Sequence, residues 1–160
     1  DLVKTRYHGD LHFGQVLVTA NDFVVIDFEG EPLRPVDERR AKGCPLRDVA
    51  GMVRSASYAA HATVERLSAQ HRDRRADLLG AALEWETTAT GVFIAGYRAA
   101  TAGLACVPQD DTAFRRLLRL FLIEKALYEM RYELESRPHW TQIPILGLLG
   151  LLDLPAGAVG

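Results

Sequence analysis

Cysteine is nearly absent: Cys44 and Cys106 are the two in 160 residues. So few thiols exclude a disulfide framework and suit a reducing, cytoplasmic setting. Nor is there an excess of one charge. Nineteen basic residues against 21 acidic ones leave a formal net charge of −2, too little for a global field that would hold nucleic acid or an anionic membrane. Long hydrophobic runs are missing as well. The longest nearly continuous one, Ile143–Leu152, is too short to span a bilayer and reads as a buried or terminal helix. No repeat at solenoid period and no low-complexity tract appears. The first residues, Asp1–Tyr7, offer neither a Met nor an apolar signal core, so nothing there reads as a secretory address. Opening on Asp1 so close to a strong motif, the chain is expected to be cut from something longer.

What is present is ordinary for a folded domain. The chain is 48% hydrophobic and 25% charged, enough to build one core of usual size. The first thirty residues read as β: Gln15–Thr19 and Phe23–Phe28 are rich in β-branched residues, and Asn21-Asp22 between them suits a tight hairpin. Gly30–Gly43, interrupted by Pro32 and Pro35, reads as a long loop, and long ordered loops are often functional. After Pro45 the period changes to three and four. Leu46, Val49, Val53, Ala56, Ala60, Val64 and Leu67 make one face of a first helix. A second helix is expected from Asp77 to about Ala102, with Leu79, Ala82, Ala89, Phe93, Gly96 and Ala100 as its seam. A third runs from a cap at Asp111 or Thr112 to about Ser136, where Pro138 stops it.

On a helical wheel the third helix has two apolar faces. Leu117, Leu118, Phe121, Lys125, Tyr128 and Tyr132 lie on one; Ile123, Leu127, Met130 and Leu134 lie opposite. That pattern predicts a helix buried on both sides. Lys125 in the middle of an aromatic face needs a reason, because an unpaired buried ammonium is costly. Its stem snorkels to water, or a polar partner or ligand meets it.

The chemistry is concentrated in His8-Gly9-Asp10-Leu11-His12-Phe13-Gly14-Gln15 and, after the hairpin, Asp27-Phe28-Glu29-Gly30. Protein kinases have a loop acid, an amide five residues on, and a second motif opening with Asp. Asp10, Gln15 and Asp27 hold those three places. Phosphoryl transfer from ATP needs a carboxylate near the acceptor hydroxyl and oxygen ligands for Mg²⁺ on the phosphates. A loop feeding a hairpin brings all three to one end of adjacent strands.

Gly9 in place of Arg, and His12 two after the Asp, move the pattern away from protein kinases and towards the aminoglycoside-phosphotransferase branch of the kinase-like fold. Within that branch the chain most resembles the maltokinase family, on His8–Gln15 and Asp27-Phe28-Glu29-Gly30-Glu31-Pro32. Further agreement comes from Pro45–Met52, Arg54-Ser55, Tyr58-Ala59, Glu124–Glu129, Tyr132-Glu133 and Arg137-Pro138. The resemblance implies a mainly α (α+β) chain: a kinase-like C-terminal lobe over residues 1–160, with a short β-hairpin followed by three long helices and a short C-terminal helix. Residues 1–43 would form the catalytic loop, hairpin and metal loop, and 44–160 the helical subdomain. On that resemblance, the N-terminal lobe, with its Gly-rich strand loop and phosphate-pairing lysine, is expected to lie outside these residues.

That resemblance implies ATP-dependent phosphorylation of maltose to maltose 1-phosphate, in glycogen synthesis from trehalose, with trehalose synthase as a fused or associated partner. Asp10 would be catalytic, Gln15 and Asp27 would hold Mg²⁺, and Lys125, Tyr128 and Tyr132, with Trp140 as a further wall, would bind the sugar. His8 would brace the loop. Asp48 either caps the first long helix or braces that loop from it. Glu29 and Glu31 are either additional metal-sphere acids or a solvated stretch. His8 and His12 also stand four apart, but Gly9 between them and the lack of a third ligand speak against zinc. Two other readings compete: a small-molecule kinase for another sugar or an aminoglycoside, and a non-catalytic interaction domain of the same fold. Without the N-terminal lobe the 160 residues are expected to be inactive.

Overall fold

The computed structural model describes residues 2–153; Asp1 and residues 154–160, which the expected domain bounds include, lie outside the described residues. The expected hairpin forms, but it is short. Strand β1 (Val16–Val18) pairs antiparallel with β2 (Phe23–Val25), Val16 opposite Val25. Thr19 closes the turn, its amide donating to the Asp22 carbonyl at 2.8 Å. Two strands of three residues are marginal alone, and Leu17, Val18, Phe23 and Val24 are all exposed.

The loop expected over 30–43 contains one short helix, α1 (Val36–Arg40), begun after Pro35, with acids in its first turn and arginines in its last. Helix α2 (Leu46–Ser68) follows, then α3 (Arg75–Ala100), α4 (Asp111–Ser136) and α5 (Gln142–Asp153). The chain is thus mainly α, with three long helices after the hairpin and a shorter one to finish. None of these helices is long and apolar enough to cross a membrane. The core gathers Leu46, Val49 and Ala50 of α2 with Phe114, Leu118, Phe121 and Leu122 of α4, and Val107 from the loop between α3 and α4. Helix α3 covers it with Phe93, Ile94 and Tyr97.

Three expectations change. The cap of α4 is Asp110, one residue earlier than expected, its carboxylate accepting from the Ala113 amide at 2.8 Å. The seam of α3 is displaced: Leu79, Gly96 and Ala100 are exposed, while Leu78, Ala82, Glu86, Thr90, Phe93 and Tyr97 face inwards. Glu86 earns its inward place by a hydrogen bond from Ser57 of α2. Finally, α4 is not buried on both sides. Leu127 and Leu134 are exposed, and Ile123 and Met130 of the same face are only half-buried.

Candidate functional site

Two glycine turns bring the two motifs together. Gly9 (φ +90°) and Gly30 (φ +79°) occupy left-handed backbone that side chains disfavour, and a Cβ on Gly9 would stand 3.2 Å from the Gly30 Cα. The loop around Asp10 and the segment after Asp27 therefore touch backbone to backbone. Asp27 itself has φ +63°, a conformation Asp tolerates better than most residues. Its Oδ2 accepts from the Gln15 amide at 3.0 Å. Asp27 and Gln15 thus form one oxygen-bearing pair across the hairpin.

The loop is held from behind by two of the sequence-predicted residues. Asp48 accepts the amides of His8 (2.7 Å) and Gly9 (2.9 Å) and makes no cap to α2. Burial pushes its pKa up, with the two amide bonds opposing. The His8 ring is buried against Phe28 and bonds the Ile26 carbonyl at 2.7 Å, while its Nδ1 accepts the Asp10 amide. That acceptance places the proton on Nε2.

Lys125 meets partners rather than water. Its side chain is 16% exposed, and Nζ lies 3.1 Å from Asp10 Oδ1 and 2.6 Å from Glu31 Oε1. Burial alone would lower its pKa, but Glu31 and Asp10 outweigh it and the ammonium is held above its ordinary value. Nζ also sits 5.0 Å over the Tyr128 ring, a cation–π contact. Glu31 is buried, not part of a solvated stretch. Its second oxygen takes Arg34, which bonds Glu124 at 3.0 Å, and Glu124 also takes Arg47. Glu29 is exposed, and its carbonyl, rather than its carboxylate, is tied down by Arg39 at 3.2 Å.

Beside Asp10 and Lys125 opens a cavity of about 320 Å³, lined by His12, Ser55, Tyr58, Tyr128, Tyr132 and Glu133 among others. Its lining includes two buried carboxylates, Glu129 and Glu133, that sequence reasoning left without roles. Arg54 bonds Glu129 at 2.9 Å and Arg137 bonds Glu133 at 2.7 Å. Burial raises the Glu129 pKa against the pull of Arg54. Tyr58 is also pushed well up, by burial and then by Glu129 and Glu133, so its phenol stays neutral. Trp140 does not line the cavity; it packs 5.9 Å from the Tyr58 ring and under the Arg137 guanidinium at 4.6 Å, backing two residues that do. Acids and bases of the cavity are paired off, so its surface offers hydroxyls, ring faces and satisfied charges. Such a lining suits a polyhydroxyl ligand better than a polycation.

Among the described residues no group of three His, Cys, Asp or Glu gathers as a metal site. The Asp27–Gln15 pair nevertheless suits Mg²⁺, which takes hard oxygen ligands and fills its sphere with phosphate and water rather than with an all-protein cage.

No protein-family model matches the chain. Over 91% of its length it is 32% identical to a glucosamine kinase of Streptacidiphilus jiangxiensis and 34% identical to one of Mycolicibacterium smegmatis. It spans about a third of each relative, 31% and 34%. A solved glucosamine kinase, in its crystal form B, superposes with a TM-score of 0.75 at 30% identity, covering 91% of this chain and 33% of that one. Another, in complex with glucosamine, ADP and inorganic phosphate, gives 0.64 at 30% identity, over 91% and 34%. The chain has a kinase-like fold.

Proposed function

We propose that this chain is the acceptor-binding and catalytic part of an ATP-dependent sugar kinase. One observation carries the reading: Asp10 stands at the mouth of a cavity walled by Tyr128 and Tyr132, its carboxylate held by Lys125 at 3.1 Å. Asp10 accepts the proton of a sugar hydroxyl as that oxygen bonds to the γ-phosphorus of ATP and ADP departs. Lys125 holds Asp10 in place. Asp48 and His8 hold the loop from which Asp10 projects. Asp27 and Gln15 would hold Mg²⁺, which supplies charge neutralisation on the phosphates when bound. An N-terminal lobe would supply the Gly-rich cover and the phosphate-pairing lysine, so residues 1–160 form the C-terminal lobe, divided at about residue 43.

The acceptor is a hexosamine on this reading, supported by the likeness to glucosamine kinases over 91% of the chain and by a cavity that offers hydroxyls and ring faces. Maltose is the second reading. It is favoured by Lys125, Tyr128 and Tyr132 on one wall, which suit a disaccharide's hydroxyls and ring faces, and it brings trehalose synthase and glycogen synthesis with it. An aminoglycoside is less suited, because the cavity's carboxylates are already paired with arginines and Lys125. A non-catalytic domain would have no use for Asp10, Gln15 and Asp27 together.

The test is kinetic. In a protein carrying this chain behind a nucleotide-binding lobe, Asp10→Asn is expected to cut turnover by about 10²–10⁴-fold, the range for losing a positioned base, and to spare ATP affinity. Asp27→Asn should cut turnover with little change in thermal stability. Near wild-type rates for Asp27→Asn at saturating Mg²⁺ would remove it from the metal site.

A further inference from the structure

His12 lines the cavity, and one of its two ring nitrogens has no partner among the described residues. Its Nδ1 accepts the Gly14 amide at 3.0 Å. A nitrogen that accepts an amide hydrogen carries none of its own, so the neutral ring bears its proton on Nε2. That Nε2–H has no partner among the described residues, and His12 lines the same cavity as Asp10, Lys125 and Tyr128. The backbone on either side is pinned to α2. The Phe13 amide donates to Ser55 Oγ at 2.9 Å, and the Leu11 carbonyl packs so closely on Gly51 that a Cβ there would collide with it. The ring lies flush on Gly14, where a Cβ would stand 2.8 Å from its Cε1. Ordering all this for a turn of three residues, Phe13–Gln15, is more than the turn needs. It fixes one donor in advance of a ligand.

We infer that His12 is an acceptor-contact residue, its Nε2–H donating to a hydroxyl oxygen of the sugar held between Asp10 and Tyr128. The inference rests on the sugar-kinase reading and adds to it a named donor with a fixed tautomer. In this role His12 moves no proton. It orients the sugar so that a neighbouring hydroxyl faces Asp10.

The two ring nitrogens can be separated by substitution. In His12→Asn the amide oxygen stands where Nδ1 stood and still takes the Gly14 amide, but nothing reaches the position of Nε2. In His12→Gln the amide nitrogen reaches the Nε2 position, and the Gly14 amide loses its acceptor. Calorimetric titration of the 160-residue chain with glucosamine and with maltose reads the outcome, with thermal unfolding as the parallel measurement. His12→Asn is expected to unfold like wild type and to bind its sugar about tenfold more weakly, the effect of one lost neutral hydrogen bond. His12→Gln is expected to unfold earlier and to keep affinity within about threefold of wild type. Gly14→Ala, which pushes the ring aside without removing it, should weaken binding as His12→Asn does. Wild-type affinity in His12→Asn, with Lys125→Met weakened, would confine His12 to its turn and overturn the inference alone. Absence of sugar binding by the wild-type chain would remove the sugar-kinase reading and this inference with it.

Discussion

Asp48 illustrates how one side chain serves a loop forty residues away in sequence. Its two oxygens satisfy the amides of His8 and Gly9, and removing them orphans two part-buried donors. Asp48→Ala is therefore expected to cost about 2–3 kcal/mol, measured by urea unfolding at neutral pH. Burial raises the pKa of Asp48, which fixes the sign of a pH effect. An acid with a raised folded-state pKa keeps its proton to higher pH in the folded chain than in the unfolded one. Its contribution to stability is then largest below the ordinary carboxylate range and falls as pH rises through the window up to the folded value. The stability gap between wild type and Asp48→Ala should shrink from pH 4 to pH 7. A gap that widens would mean that the amide bonds outweigh burial. At this scale the sequence was legible where chemistry is local: Asp10, Gln15 and Asp27 stand out by spacing, and Lys125 by its place on an aromatic face. The partners of Lys125 were not legible. Glu31 and Asp10 lie 94 and 115 residues from it, and a charge in a sequence does not announce its counter-ion. The same holds for Arg54 with Glu129 and for Arg34 with Glu124. His12 carried a signal that could have been read, a histidine two residues from the acid with glycine two further on.

Helix α4 was read correctly on its inner face and wrongly on its outer one. Leu118 and Phe121 enter the core, while Leu127 and Leu134 face outwards. Periodicity reports which residues share a face; it cannot report whether another element covers that face. The difference is measurable. Leu118→Ala is expected to cost about 2–4 kcal/mol through the cavity it leaves. Leu127→Ala is expected to stay within about 0.5 kcal/mol, as surface changes do. Equal costs, read from denaturant midpoints at constant m-value, would mean that the outer face is covered in solution. Helix α3 teaches a related lesson, because its inward positions include Glu86 and Thr90. A hydrogen bond to α2 holds Glu86 there, and a search for apolar residues alone misses it. The hairpin was legible in place and direction but drawn too long. Its ends fray into loops whose amides are taken by Gln15, His12 and Asp22.

Across the whole molecule, three helices build the core and the first thirty residues lie on it as a thin chemical layer. Asp10 and the cavity sit where that layer meets α2 and α4, and the Gln15–Asp27 pair spans the hairpin. Such a division explains why the long helices were legible from periodicity while the cavity was not: its lining is assembled from residues scattered over Asp10 to Arg137. The division also separates what this chain does alone from what it does with a nucleotide-binding lobe. On the sugar-kinase reading, phosphoryl transfer depends on positioning and charge stabilisation by both, whereas the cavity proposed for the sugar is lined by this chain. Titration of the purified 160 residues with glucosamine, maltose and Mg·ATP, followed by a search for sugar phosphate in the same mixture, is the most direct measurement. The sugar-kinase reading predicts saturable binding of one sugar, abolished by Lys125→Met, with weak nucleotide binding and no product. Failure to bind either sugar, or formation of sugar phosphate by these residues alone, would contradict it.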